Sequence, residues 1–191
     1  MNTLMHICCA PCANRPIEAL RQEGIGVTGF WFNPNIHPYT EYQARKHTLE
    51  EYAKEIGMKL VIGGTYDLRT FVTNVADNID GRCAYCYRVR MEETAKYAAQ
   101  NGYDSFTTSL LISPYQRHEA IAAVAREMGE KYGVECLYRD FRPLFQAGQE
   151  FAREHGMYMQ KYCGCIFSEE DRYMAAKRKK KQKQQEQEKN D

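Results

Sequence analysis

The sequence predicts an α/β protein: a mostly parallel five-stranded sheet with helices on both faces, followed by a helical C-terminal extension. Two observations predict this. Five short stretches of apolar, β-branched or aromatic residues alternate with segments of helical spacing along most of the chain. The chemically unusual residues fall after strands one, two and four, and right-handed crossovers would bring those strand ends to one edge of a parallel sheet. A length of 191 residues is enough for one domain with a proper core, or for one domain and a small appendage.

Strand one covers about Leu4 to Cys8 and opens into His6-Ile7-Cys8-Cys9-Ala10-Pro11-Cys12, with Pro11 and Pro16 suiting a loop that leads into the first turn of a helix. That helix is expected near 15–23 and ends at Gly24 and Gly26. Val27 to Phe32 is rich in strand formers and runs into the polar, proline-broken loop Asn33-Pro34-Asn35-Ile36-His37-Pro38. A strong helix opens at Thr40 and runs to Ile56, and Lys59 to Ile62 is a third strand. Asp67 to Ala76 places Leu68, Phe71, Val72 and Val75 on one helical face. Cys83-Ala84-Tyr85-Cys86 opens the next helix, which Asn101-Gly102 stops. Ser105 to Leu110 reads as strand four, the stretch from Gln116 to Lys131 as helix, and Val134 to Tyr138 as strand five. Helical spacing returns from Arg142 to His155. A tyrosine-rich loop with Cys163-Gly164-Cys165 follows, and a last helix starts at Ser168.

No apolar run approaches the ~20 residues of a membrane span, and the N-terminal residues lack a secretory pattern, so a cytoplasmic location without a membrane partner is expected. Eight cysteines in a reducing compartment then call for metal or catalysis in place of structural disulfides. Cys136 lies in an apolar run and reads as a core residue. The other seven form three groups: Cys8, Cys9 and Cys12; Cys83 and Cys86; Cys163 and Cys165. The first group sits at a helix start, where free N–H groups stabilise thiolates.

Cys8, Cys9, Cys83 and Cys86 make a four-thiolate set. Structural zinc prefers C-x-x-C knuckles, and adjacent Cys8-Cys9 is a poor one, so the spacings favour a [4Fe–4S] cluster over zinc. Cys163 and Cys165 read as a redox pair, since an i, i+2 disulfide is strained and readily reduced; two further ligands is the other reading. His6 reads as a hydrogen-bonded core histidine. Tyr85, Tyr87, Tyr115, Tyr158 and Tyr162 flank the motifs, either as packing or as a surface for a nucleobase with a phenol, Tyr115 the candidate, as proton donor. Residues 176–191 carry seven Lys or Arg against three acidic residues, a basic low-complexity tail expected to be a frayed helix or disordered, and suited to attracting nucleic acid. An ATP-dependent enzyme would need a phosphate-cradling loop after strand one, and none is present.

Together these motifs resemble the cobalamin-independent epoxyqueuosine reductases. Cys8-Cys9-Ala10-Pro11-Cys12, the Asn33–Pro38 loop with Glu41, Tyr42 and Arg45, Cys83-x-x-Cys86-Tyr87-x-x-Arg90, Thr108 to Gln116 with His118, and Tyr162-Cys163-Gly164-Cys165-x-Phe167-Ser168 carry the resemblance over roughly 5–175. It implies an adenine-nucleotide-hydrolase-like (Rossmann-like) iron–sulfur catalytic domain over 1–175. It implies reduction of epoxyqueuosine in tRNA to queuosine, the final step of that modification, with a separate electron donor. By the same resemblance Cys8, Cys9, Cys83 and Cys86 correspond to the ligands of a [4Fe–4S] cluster, and Cys163 with Cys165 to a redox-active pair. Cys12, where some relatives carry an aspartate, is the candidate ligand of one additional mononuclear iron. The alternative from the residues alone is a non-enzymatic zinc or thiol protein that binds RNA.

Overall fold

A computed structural model describes residues 1–175 and 177. Five strands, β1 (Asn2–His6), β2 (Gly26–Trp31), β3 (Leu60–Ile62), β4 (Ser105–Thr108) and β5 (Glu135–Cys136), form one sheet in the order β3-β2-β1-β4-β5. Every neighbouring pair is parallel. The crossovers are α1 (Ala10–Gln22), α2 (Tyr39–Glu55), α3 (Leu68–Val75), α4 (Arg82–Gln100) and α5 (His118–Tyr132), with α6 (Phe145–Glu154) after β5. Residues 166–175 are helical as well. This is the doubly wound arrangement that the sequence predicts.

The chain winds from β1 outward to β3, then returns past β1 to β4 and β5. The switch point therefore lies between the carboxyl ends of β1 and β4, where α/β proteins bind ligands. Successive β2 side chains point to opposite faces. Phe30 stacks on Tyr97 of α4 at 4.9 Å, while Trp31 meets Tyr42 of α2 edge-on at 5.3 Å. These two contacts fix the helix layer on each side. In the middle of the sheet Leu4, Met5, Ile7 and Phe106 are wholly buried.

Several boundaries differ from the sequence expectation, each for a local reason. Helix α1 starts at Ala10, not near Arg15: Pro11 fills a first-turn position where no N–H is needed, and the helix continues through Pro16. Burial of Ala13, Ile17 and Leu20 outweighs the one intrahelical bond that Pro16 cannot make. Strand β4 stops at Thr108, whose Oγ1 accepts the Leu110 N–H and starts a 3-10 turn over Ser109–Ile112. Strand β5 shrinks to two residues at the sheet edge, although Leu137 N–H still bonds the Phe106 carbonyl at 2.9 Å. The last helix begins at 166, ahead of Ser168, whose hydroxyl accepts the Gly164 N–H and donates to the Cys165 carbonyl. The tail expected over 176–191 lies outside the described residues apart from Lys177.

Close approach of α5 to the strand that follows it gives a test of this packing. A Cβ at Gly129 would lie 2.8 Å from the Val134 carbonyl oxygen. Alanine is the better helix former by about 1 kcal/mol, but overpacking against backbone costs about 1–3 kcal/mol. Gly129→Ala should lower the urea midpoint with an unchanged slope; a midpoint equal to or above the parent's contradicts this packing.

Candidate metal centre

The β1–α1 loop turns three sulfurs inward. Cys9 is the N-cap of α1, in extended conformation and with no side-chain cap bond, and Cys12 is the third helical residue. The sulfurs of Cys8, Cys9 and Cys12 all lie within 4.8 Å of one another, and all three residues are buried. The loop is tied across the switch point, where Cys8 N–H donates to Ser109 Oγ at 3.2 Å. Hydrogen bonds from Cys12 and Cys9 hold the Cys8 thiol well below its ordinary range, while burial pushes Cys9 up.

Cys83 and Cys86 stand in the first turns of α4, three residues apart and so on one face. Asn35, in the loop after β2, donates its Nδ2 to Cys86 Sγ. Burial pushes the Cys86 thiol up to about 12, with Arg90 opposing. Cys163 and Cys165 follow the tyrosine-rich loop, and all eight cysteines of the chain are free thiols. Gly164 between them has φ 155°, a backbone that side-chain-bearing residues rarely adopt, and packs against Ile36 and the Arg45 guanidinium. Gln116, in the loop after β4, donates its Nε2 to Cys163 Sγ at 3.0 Å. Gln160 donates its Nε2 to Cys9 Sγ at 2.9 Å and to Cys12 Sγ at 3.4 Å. Each of the three cysteine groups therefore receives a carboxamide N–H.

Two arginines lie in the same interior. Arg45 of α2 is 1% exposed, bonds Glu41 at 2.7 Å, and reaches the carbonyls of Cys163 and Tyr162 at 2.9 and 3.0 Å. Tyr158 hydroxyl donates to the other Glu41 oxygen, and Tyr162 hydroxyl donates to the His37 carbonyl at 2.6 Å. The 158–165 segment is thus strapped across the mouth of the β1 and β2 loops. Arg90 of α4 is 2% exposed and pairs with no carboxylate among the described residues; its Nε donates to Asn35 Oδ1 at 2.9 Å. A buried guanidinium without an anion is costly. The groups whose ionised forms Arg90 favours include Cys8, Cys86 and Cys163, one from each cysteine group. Burial opposes that effect at Cys86 and Cys163 and raises both thiols, so Arg90 faces sulfur without a fixed anion.

The remaining predicted residues take varied places. His6 is a core histidine, as expected: Nδ1 meets Thr108 Oγ1 at 2.9 Å and Nε2 meets Asn33 Oδ1 at 3.2 Å, and burial lowers its pKa to about 3. His37 is buried with its Nδ1 accepting the Ile166 N–H. His118 bonds the Tyr138 hydroxyl. Tyr115 is 86% exposed, with its ring edge-on to Phe145 at 5.8 Å, so it stands on the rim. Tyr87 is buried and donates to Gln116. Cys136 packs against the core from the sheet edge. The sequence reading gave no role to Gln160, and quoted Arg45 and Arg90 only as motif members. A signal was present for the arginines, since Tyr42, Arg45, Leu49 and Tyr52 form one buried stripe, as do Tyr87, Arg90, Met91 and Thr94. A cation inside such a stripe is either paired or waiting for an anion.

A doubly wound sheet with a buried three-thiol group at its switch point, hydrogen-bonded carboxamides and buried cations defines an α/β thiol protein able to hold a metal. Comparison with known proteins is more specific. The family model described as "Epoxyqueuosine reductase QueH" matches residues 3–171. Among relatives so named, that of Dehalococcoides mccartyi is 36% identical over 170 residues, 89% of this chain and 93% of that protein. That of Thermotoga maritima is 34% identical, covering 86% and 88% of the two chains, and that of Haemophilus influenzae is 34% identical, covering 88% and 71%. This chain belongs to the epoxyqueuosine reductase QueH family. The fold itself is shared more widely: the crystal structure of a predicted subunit of tRNA methyltransferase from Methanocaldococcus jannaschii matches with TM-score 0.51 and 15% identity, over 82% of this chain and 88% of that one.

Proposed function

We propose that this protein is an iron–sulfur oxidoreductase that reduces epoxyqueuosine in tRNA to queuosine. Family membership supports the reaction, and Arg90 supports the cofactor: it is a fully buried cation whose available counter-charges are sulfurs of all three cysteine groups. The donor set fits a metal–sulfur group. Buried thiols already supplied with amide N–H bonds and cations are prepared for several negative charges, which an apolar cysteine core would not need.

Cys8, Cys9, Cys83 and Cys86 would hold a [4Fe–4S] cluster, and Cys12 would bind one additional mononuclear iron. When bound, the cluster supplies single-electron transfer and the extra iron a Lewis acid. Removing the epoxide oxygen breaks two C–O bonds, joins the carbons by a double bond and releases water. That takes two electrons and two protons. Oxidation of the Cys163 and Cys165 thiols to a disulfide yields two electrons and two protons, so the dithiol is a matched store, and an external electron donor returns it to the thiol state. Tyr115, exposed at the rim, is the proposed proton donor to the leaving oxygen. Carboxamides and arginines hold the sulfurs and the 158–165 segment in place.

The catalytic unit is proposed to span 1–175, with the basic tail of 176–191 drawing in the tRNA backbone. The proposed location is the cytoplasm, where thiols stay reduced. No helix among the described residues is long and apolar enough to cross a membrane.

Cys163→Ser should keep the visible absorbance of the anaerobically purified protein while turnover on epoxyqueuosine-containing tRNA falls by orders of magnitude. Retained turnover would contradict the dithiol role, and lost absorbance would make Cys163 a ligand. Truncation after Ala176 should weaken tRNA association chiefly at low salt; equal affinity of the two proteins across a salt series removes the tail from recognition.

A further inference from the structure

The rim of the site carries a bare aromatic ring beside two unpaired cations. Tyr115 is 86% exposed, against 54% for Tyr39, the next large apolar side chain in order of exposure. The turn that presents it is held in place. Ser113 Oγ accepts the Tyr115 N–H at 3.3 Å, and the Ser113 carbonyl accepts the Gln116 N–H at 3.4 Å. The Arg117 N–H then donates to the Tyr87 hydroxyl oxygen at 3.3 Å and fixes the far end.

A single exposed ring needs no explanation by itself, but this one has a setting. Gln116, between Tyr115 and Arg117, donates to Cys163 Sγ at 3.0 Å, and Cys163 is the one exposed cysteine. Lys161 stands two residues before Cys163 on the 158–165 segment. The ring and both cations therefore surround the opening at Cys163. Arg117 and Lys161 are exposed, and neither pairs with a carboxylate among the described residues.

An open ring between cations suits a splayed-out base with a phosphate on either side. Duplex RNA hides its base faces, and an acidic protein surface would engage the cations while giving the ring nothing to stack on. We propose that Tyr115 is the stacking platform for an unpaired base beside the reacting nucleotide, with Arg117 and Lys161 holding the flanking phosphates. The enzyme then selects a single-stranded RNA loop over a duplex. This rests on the tRNA substrate proposed above. Stacking uses the face of the ring and the hydroxyl lies in its plane, so the platform leaves the phenol free for its proposed proton transfer.

The experiment titrates anaerobic holoenzyme into fluorescently labelled tRNA carrying queuosine, the product, so that no turnover intervenes. Dissociation constants are measured over a series of salt concentrations. Tyr115→Leu should weaken binding about tenfold at every salt concentration and leave the salt slope unchanged, because stacking releases no counterions. Tyr115→Phe keeps the ring and should bind within about twofold of the parent. Arg117→Gln and Lys161→Gln should each lower the slope of log Kd against log salt by about 0.7, the effect of one phosphate contact on a single strand. A fully paired RNA duplex should bind Tyr115→Leu and the parent alike. Circular dichroism and iron content, expected to stay unchanged because all three side chains are exposed, separate these effects from loss of structure. Parent-like tRNA affinity in Tyr115→Leu, or an equal loss in Tyr115→Phe, overturns the platform. A parent slope in both Arg117→Gln and Lys161→Gln overturns the phosphate contacts. Failure of the tRNA reading itself shows differently, as a parent enzyme with no measurable affinity for the tRNA.

Discussion

Two guanidinium groups buried among sulfur atoms set the terms for the rest of this structure. Arg45 has Glu41 as a partner, but Arg90 has no carboxylate among the described residues. An isolated cation in a protein interior costs several kcal/mol unless an anion faces it. The groups within its field are sulfurs from three parts of the chain that sequence separation keeps far apart: the β1 loop, the start of α4 and the segment before the last helix. The β1–α1 loop, the proline-broken loop after β2 and the C-terminal strap all converge on this balance. Each is held to it by backbone or carboxamide hydrogen bonds rather than by burial alone.

The topology explains why such distant cysteines meet. Parallel strands joined by right-handed crossovers deliver every β-to-α loop to the same edge, and the reversal of winding at β1 opens a crevice there. A phosphate-binding relative of this arrangement would use glycines and free N–H groups at that position. Here the first turn of α1 presents sulfur instead, and the carboxamides of Asn35, Gln116 and Gln160 supply the donors. Carboxamides suit the task because they carry N–H groups without adding charge.

Much of this could be read from the residues. The alternation of strand and helix signals gave the sheet, and the three cysteine groups marked the site, because thiols clustered in this way point to metal binding or catalysis. His6 was legible as a core residue from its apolar strand. Less legible were features set by tertiary contacts. The start of α1 at Ala10 was hidden by Pro16, whose helix-breaking tendency is outweighed by burial of Ile17 and Leu20. Gln160 gave no local signal, since a glutamine in a loop is ordinary until two sulfurs are found beside it. Tyr115 and Tyr87 look alike in sequence, both next to motif residues, yet one is on the rim and the other is in the core.

The central claim is that the buried cations and carboxamides serve metal-bound thiolates, not a thiol-lined core. Iron and acid-labile sulfide, measured per chain on anaerobically purified protein, test it most directly. The account predicts about four irons and four sulfides per chain, with a fifth iron if Cys12 binds its own. One zinc per chain without sulfide, or no metal at all, would contradict it.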